Sequence, residues 1–226
     1  MSTVAPRGRA VRARVLLAVL QLLCCPGRAA TKLLLAGDLP CPPRGFNSYD
    51  AFQATNESET LAQAAFMREK LLQYGWEYIV IDAGWYNSPE NMHTHSGPVE
   101  GDLAKIDAWG RWIPHPQSYP STAKSGSFRP ISDRLHEMGL KFGVWVMRGI
   151  PWQAVARRTP IKGTNWTADE ITNNGQAACR WGPRDRPFFA YESNLSHPGT
   201  RAYYESVAEL YADWQLARMR NTGGSP

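Results

Sequence analysis

A helix, a glycine and an apolar strand follow one another twice in this chain, at the same spacing. In "LLQYGWEYIVIDAGW" a helix is predicted to end at Gly75 and a strand to follow at 78–81. In "LHEMGLKFGVWVMRG" Gly139 precedes a predicted strand at 142–146. A glycine just past a helix is the usual left-handed cap. Near-continuous apolar strands that alternate with helices predict parallel strands buried on both faces, so the expected class is α/β.

Three amphipathic helices are expected around these strands. Asn56 and Glu59 form a capping-box pattern before the first, Pro130 is placed as the first-turn proline of the second, and the third begins near Pro198. The residues expected on the apolar faces are Leu61, Ala64, Ala65, Leu71 and Leu72 in the first helix, Ile131, Leu135 and Met138 in the second, and Tyr203, Val207, Leu210 and Trp214 in the third. Core packing is the expected role of all three faces.

Two segments depart from this pattern. The long stretch 87–127 is rich in Pro, Gly, Trp and His, and its aromatics Trp109, Trp112 and Tyr119 predict an ordered loop. After the third helix, residues 215–220 have no glycine cap, no β-branched residue and two positive charges, which predicts a poor buried strand. Residues 221–226 have the composition of a turn or of disorder, so 215–226 is expected to be a divergent, disordered tail.

Residues 1–30 have the composition of a secretory signal peptide. Arginines without any acidic residue precede the short apolar run 15–25, and Ala29 and Ala30 offer a cleavage site. The run is short for a bilayer, which requires about 20 apolar residues, so no stable membrane span is expected. An uncleaved anchor and an organellar transit peptide are the alternatives. The expected organisation is a leader over 1–30, a catalytic-type domain over 31–214 and a tail over 215–226.

Charge, sequons and cysteines all bear on the compartment. The net charge of +5 equals the five arginines of residues 1–30, so the rest is near neutral and a nucleic-acid partner is not expected. Sequons at Asn56, Asn165 and Asn194 fit a glycoprotein of the secretory pathway, with an extracellular, vacuolar or lysosomal destination. Outside the leader, Cys41 and Cys179 are the disulfide candidates, either with each other or with partners elsewhere.

The residues that follow predicted strands are the candidates for chemistry, because loops converge at the carboxyl ends of parallel strands. Asp82 follows the second strand directly, and its structural alternative is a cap or an ion pair. Aromatics beside carboxylates suit sugars, whose hydroxyls take hydrogen bonds. The other candidates at strand ends are Tyr49, Asp50, Trp85, Trp145 and Arg148, of which Trp145 could equally be core.

Metal and cofactor signals are weak. His93 and His95 flank a threonine, but two histidines without a third ligand do not make a metal site. The sequence shows neither a glycine-rich phosphate motif after a strand nor a G-x-S-x-G elbow. We expect neither a metal nor a cofactor.

Several stretches together resemble the start of glycoside hydrolase family 27, the melibiase or α-galactosidase family. They are "PPRGFNSYDAF", "YGWEYIVIDAGWY", "WGRWIPHPQSYPS", "GLKFGVWVMRGIPWQAV" and "AYYESVAELYADW", in family order from Pro42 to Trp214. The resemblance implies a (β/α)8 barrel and retaining hydrolysis of a terminal α-linked galactose or related sugar. It also implies substrate contacts for Tyr49, Asp82 and Trp145.

The chain departs from the family in two respects. Many members have Trp where this chain has Phe46 and Tyr49, and a second acidic residue where it has Ala83. These differences bear on the choice of sugar. The lysine-x-aspartate motif with the nucleophile, expected after Trp214, is not found, and the acid/base segment is also missing. In many relatives the cysteine matching Cys179 bonds to one beyond that motif.

These departures lead to two functional interpretations. Three strands cannot close a barrel, so the expected fold is a partial (β/α)8 barrel of about three βα units. In the first interpretation the chain is a truncated α-galactosidase-type enzyme that is inactive on its own. The alternative is a non-catalytic sugar-binding or regulatory fragment. Both interpretations take an α-galactoside carbohydrate as the ligand.

Overall fold

The computed structural model describes residues 43–51, 54–89, 104–178, 190–216 and 218–221. Its strands are β1 (Arg44–Asn47), β2 (Trp76–Ile81), β3 (Lys141–Val146), β4 (Ile150–Pro151), β5 (Thr172–Ala177), β6 (Ala190–Ser193) and β7 (Arg218–Asn221). Its α-helices are α1 (Glu57–Phe66), α2 (Arg129–Glu137), α3 (Trp152–Ala156) and α4 (Pro198–Asp213). The predicted α/β class is confirmed.

The main sheet is parallel and open, with the strand order β1-β2-β3-β7. Val80 of β2 pairs with Asn47 of β1 and with Gly143 of β3, so the three strands run level. Both predicted glycine caps are confirmed, because Gly75 (φ +81°) and Gly139 (φ +78°) lie in the left-handed region. The helices that precede these glycines therefore turn sharply into β2 and β3.

Helix α1 begins at the predicted capping box. The Asn56 side chain accepts from the backbone of Glu59, and the Glu59 side chain accepts from the backbone of Asn56. The helix continues into a π turn at Met67–Leu71 and a 3₁₀ turn at Leu72–Tyr74. Ala65 is exposed, so its predicted place on the apolar face is wrong. The buried stripe is Thr60, Ala64 and Met67, whose four- and three-residue spacing leaves Ala65 beside it.

The core lies against one face of the parallel sheet. Ile79, Ile81, Phe142 and Val144 alternate along β2 and β3 and are fully or almost fully buried. Helix α2 begins with Pro130 in its first turn, as predicted, and buries Ile131 and Leu135. Helix α4 is capped by His197 and buries Tyr203, Val207, Tyr211 and Trp214. The predicted apolar faces are confirmed at Ile131, Leu135, Tyr203, Val207 and Trp214. Tyr211 was not predicted, and the predicted Met138 and Leu210 are half-buried.

The described part of the 87–127 segment is ordered around short bridges, as its aromatics predicted. Asn87 bridges to Ala104, and Ile106 to Trp112. Trp112 and Tyr119 are buried, whereas Trp109 is partly exposed. Asp107 and Arg111 make an ion pair, with Nη2 2.7 Å from Oδ2, and Arg111 also donates to the backbone of Ser206 in α4 at 2.8 Å. This loop is therefore tied to the last helix.

The prediction for residues 215–226 needs correction. Residues 218–221 form β7, which pairs with β3, so the expectation of no strand after position 215 is wrong and the sheet has four strands. Gln215 takes a left-handed φ of +58° where glycine was expected. Charged residues are compatible with a strand at the edge of a sheet, whereas a central strand buried on both faces would exclude them. The described part of the tail contains this strand, and residues 217 and 222–226 lie outside the described residues.

A second, antiparallel sheet of order β4-β6-β5 was not predicted. Its strand β4 has two residues, and β5 reads "TNNGQA", which is poor in β-forming residues. No helix among the described residues has the length and apolar character needed to cross a membrane. The predicted leader, Cys41, Cys179, His93 and His95 lie outside the described residues.

Candidate functional site

The carboxyl ends of β1 and β2 bring an amide and a carboxylate together. Asn47 is the last residue of β1, and Asp82 directly follows β2. The Nδ2 of Asn47 donates to Oδ2 of Asp82 at 2.7 Å. Because parallel strands end at a common edge, residues 35 positions apart in sequence form one polar group there.

Three backbone contacts fix the orientation of this pair. Asp82 Oδ1 accepts from the backbone N–H of Ala83 at 2.7 Å, and the N–H of Asp82 donates to Ser48 Oγ at 2.9 Å. Asn47 Oδ1 accepts from the N–H of Tyr49 at 2.9 Å. Asp82 thus contacts the backbone of its own turn, and its role as a cap or as a ligand contact stays a prediction. A carboxylate has about four acceptor positions, and the contacts from Asn47 and Ala83 use two of them.

Tyr49 and Asp50 lie beside the pair in the 3₁₀ turn Ser48–Asp50. Tyr49 is partly buried and Asp50 is exposed. Since Asn47 caps this turn through Tyr49, its side chain sets the position of both the turn and Asp82. The structure thus brings Tyr49, Asp50 and Asp82 to the same edge of the sheet.

The two candidate tryptophans are buried. Trp145 is 3% exposed and Trp85 is 0% exposed. Trp85 Nε1 donates to the backbone oxygen of Trp145 at 2.8 Å, and its ring meets Phe128 and Trp214 edge to face. Trp85 therefore packs in the core of the described structure, and substrate contact by its ring stays a prediction.

The register of the sheet keeps Trp145 on the same side as Asp82. Val80 pairs with Gly143, and the next residues on that face are Asp82 and Trp145. Substrate contact by Trp145 stays a prediction, because its ring is covered in the described structure.

Arg148 is exposed and belongs to the turn between β3 and β4. Its Nε donates to the backbone oxygen of Ala178 at 2.6 Å, which links the end of β3 to the second sheet. The neighbouring Gly149 has a φ of +94°, and a Cβ there would lie 2.3 Å from Tyr191 O. Arg148 is therefore held at a junction between the two sheets.

Sequence reasoning missed Asn47 and Ser48. Both follow the apolar start of "GFNSYD" at a strand end, which is the rule that selected Asp82, but a four-residue strand gave too weak a pattern to locate that end. Among the described residues there is no group of three or more His, Cys, Asp or Glu side chains placed to hold a metal ion. The chemistry that this edge offers is hydrogen bonding to a polar ligand.

Comparison with known proteins gives relatives of one kind. No protein-family model matches the chain. The alpha-galactosidase mel1 of Schizosaccharomyces pombe is 30% identical over 110 residues, which are 48% of this chain and 21% of that protein. A candidate alpha-N-acetylgalactosaminidase from Bacillus halodurans C-125 superposes with a TM-score of 0.71 at 36% identity, over 80% of this chain and 40% of that one.

A third relative carries the family name. The GH27 β-L-arabinopyranosidase of Geobacillus stearothermophilus superposes with a TM-score of 0.70 at 35% identity, again over 80% of this chain and 40% of that one. All three relatives are glycoside hydrolases by name. These matches support the resemblance to glycoside hydrolase family 27, over part of the relatives' length. The chain spans about two fifths of the solved relatives and about one fifth of the curated one.

Proposed function

We propose that this chain forms a sugar-holding part of a retaining glycoside hydrolase that acts on a terminal α-linked galactose or a related sugar. The relatives support this substrate class, since their names specify galactose, N-acetylgalactosamine and arabinopyranose. We also propose that the open parallel sheet is part of a (β/α)8 barrel and that the protein passes through the secretory pathway. The leader-like residues 1–30 and the three sequons support that route.

The Asn47–Asp82 pair is the observation that carries the proposal. Asp82 is partly exposed and is held by Asn47 on one oxygen and by its own turn on the other. Its free acceptor positions match a pair of sugar hydroxyls, which donate hydrogen bonds. A carboxylate that is already oriented loses little conformational entropy on binding, so its hydrogen bonds contribute more to affinity.

We further propose that the chain alone does not hydrolyse its sugar. Retaining hydrolysis uses two carboxyl groups about 5–5.5 Å apart, a nucleophile and an acid/base. At the described edge the carboxylates are Asp82 and Asp50, and hydrogen bonds from Asn47 and Ala83 fix the orientation of Asp82. Residues 214–226 contain neither Asp nor Glu. Holding hydroxyls, not attack on the anomeric carbon, is the role we assign to Asp82.

The test compares Asp82→Asn with the unaltered chain in galactose binding, measured by titration calorimetry, and in hydrolysis of an aryl α-galactoside. Asp133→Asn is the matched control, because Asp133 is an exposed carboxylate on α2. We expect the unaltered chain and the control to bind galactose, Asp82→Asn to bind at least tenfold more weakly, and none to show turnover. Equal binding by all three chains contradicts the role of Asp82, and turnover by the unaltered chain contradicts inactivity.

A further inference from the structure

We propose that Asn56 carries an N-linked glycan and that the first sugar of this glycan lies in a cleft beside the start of α1. Asn56-Glu57-Ser58 is an N-x-S/T acceptor sequence. The inference rests on the secretory route of the proposed function but not on the role of Asp82. It assigns to the cap of α1 a modification that the helix geometry accommodates.

Within the described residues, the side-chain contacts of Asn56 leave its nitrogen for this bond. Oδ1 of Asn56 accepts from the backbone N–H of Glu59 at 3.0 Å and from Ser58 Oγ at 2.7 Å. Both contacts use the amide oxygen, and a glycosylated asparagine keeps that oxygen. The capping box, including the return bond from the Asn56 N–H to Glu59 Oε2 at 3.2 Å, therefore survives the modification.

A cleft of about 440 Å³ opens next to Asn56. Small-molecule sites have volumes of about 300–1,000 Å³, so the cleft can hold one sugar ring. Leu61, Pro89 and Pro120 supply apolar contacts, and the amide of Gln117 supplies a polar one. Mostly apolar walls with a few polar groups are typical of ligand sites.

The walls of the cleft are held together by α1 contacts. The backbone N–H of Glu57 donates to the oxygen of Ser118 at 2.9 Å, and Glu57 Oε2 accepts from the N–H of Ser121 at 2.8 Å. The start of α1 and the 117–121 segment thus form one surface. A sugar on Asn56 would meet walls already in place, which lowers the entropic cost of ordering it.

The covalent step joins Nδ2 of Asn56 to the anomeric carbon of a sugar. The donor is a lipid-linked oligosaccharide diphosphate, whose bond between that carbon and the diphosphate oxygen breaks. One amide proton leaves Nδ2, and the lipid diphosphate departs with the bonding electron pair. No oxidation or reduction takes place.

The first experiment counts the occupied sequons. The full chain is translated in the presence of microsomes, and gel shifts that endoglycosidase removes are compared for the unaltered chain, Asn56→Asp, Ser58→Ala and Asn165→Asp. Aspartate is itself a good helix cap, so Asn56→Asp removes the acceptor while keeping the cap. We expect Asn56→Asp and Ser58→Ala to lose one shift each. The same number of shifts in the unaltered chain and both variants, or no shift at all, overturns the proposal.

The second experiment tests the cleft. The chain is secreted from cultured cells, and release of glycan by an amidase is timed under native conditions at Asn56 and at the exposed Asn165. We expect release at Asn56 to be at least fivefold slower, and Gln117→Ala to bring it closer to the rate at Asn165. Equal rates at the two sites in the unaltered chain overturn the cleft. Galactose binding by Asn56→Asp is a separate readout, so failure here is distinguishable from failure of the proposed function.

Discussion

The side-chain nitrogen of Asn47 lies 2.7 Å from Oδ2 of Asp82, across the boundary between β1 and β2. This contact joins the ends of two neighbouring parallel strands, and Asn47 also caps the turn that carries Tyr49. A single amide therefore positions both the carboxylate and the turn of the candidate site. Its replacement gives a direct test of how the edge is organised.

Asn47→Asp is expected to destabilise the chain at neutral pH by about 1.5–3 kcal/mol, the usual value of a hydrogen bond to a charged group. It places a second carboxylate against Asp82, and like charges raise the pKa of one member of such a pair. The folded-state pKa then exceeds the unfolded value of about 3.9. The loss of folding stability caused by the added charge is therefore complete above the raised pKa and disappears below the unfolded value.

Urea unfolding at neutral and at acid pH measures this effect, with Asn47→Ala as the control. The alanine variant loses the same hydrogen bond but adds no charge, so its loss of stability should vary little with pH. The same pH dependence in both variants would show that the two side chains are not in contact in solution.

Gly45→Ala is expected to loosen the pairing of β1 with β2. A Cβ at position 45 would lie 2.2 Å from the backbone oxygen of Tyr78, which cannot move without breaking the sheet. Overpacking of this kind typically costs about 1–3 kcal/mol. Gly75→Ala is the comparison, because Gly75 has a φ of +81° and nothing within 4 Å of an added Cβ.

For Gly75→Ala the cost is only that of the left-handed backbone, about 1–2 kcal/mol. Thermal unfolding compares the two variants, and galactose binding separates them further. Gly45→Ala should weaken binding because β1 carries Asn47, whereas Gly75→Ala should not. A Gly45→Ala chain with unchanged stability would mean that β1 does not pack on Tyr78 as described.

The elements that the sequence predicted correctly are those with a strong local signal. The capping box of Asn56 and Glu59 and the caps at Gly75 and Gly139 depend on residues within a few positions of one another. The long apolar runs of β2 and β3 also carry their own signal. Local rules therefore located helix ends and central strands.

Elements that depend on distant partners could not be predicted in this way. Strand β7 is formed by pairing with β3, and its residues lack β propensity, so only the tertiary structure shows it. The same applies to Trp85, whose position after β2 suits a site as well as a core. Its burial depends on α2 and α4, which supply Phe128 and Trp214 from elsewhere in the chain.

Arg111→Met is expected to cost about 1.5–3 kcal/mol, because Asp107 loses a largely buried charged partner and keeps the backbone N–H donors of Trp109 and Arg111. The side chain of Arg111 is 8% exposed and contacts both Asp107 and the backbone oxygen of Ser206. Arg129→Met is the matched control, since Arg129 pairs with Asp133 at the same i,i+4 spacing but on the surface.

The exposed pair should contribute about 1 kcal/mol or less. Urea unfolding of both variants measures the difference, and raised salt should reduce the effect of Arg129→Met more than that of Arg111→Met. Equal losses in the two variants would contradict the tie between the 104–127 loop and α4.

Tyr119→Phe and Tyr211→Phe are expected to differ although both hydroxyls are buried. The Tyr119 hydroxyl donates to the backbone oxygen of Thr55 at 2.6 Å, so its removal leaves a buried acceptor unpaired and costs about 1–3 kcal/mol. Within the described residues, the Tyr211 hydroxyl has no hydrogen-bond partner. Its removal should change stability by about 0.5 kcal/mol or less, or raise it, because no bond is lost.

Alkaline pH gives the same pair of variants a second test. Burial raises the pKa of Tyr119, with Glu59 and Glu57 adding to the shift, and burial followed by Asp107 raises that of Tyr211. Both folded pKa values exceed the unfolded value of about 10. The contribution of each neutral hydroxyl to folding stability is therefore fully present below about pH 10 and declines above it. Above about pH 10 the free energy of unfolding of Tyr211→Phe should therefore rise relative to that of the unaltered chain. Urea unfolding followed by circular dichroism measures this difference. A constant difference between the two chains from neutral to alkaline pH would show that Tyr211 is accessible to water.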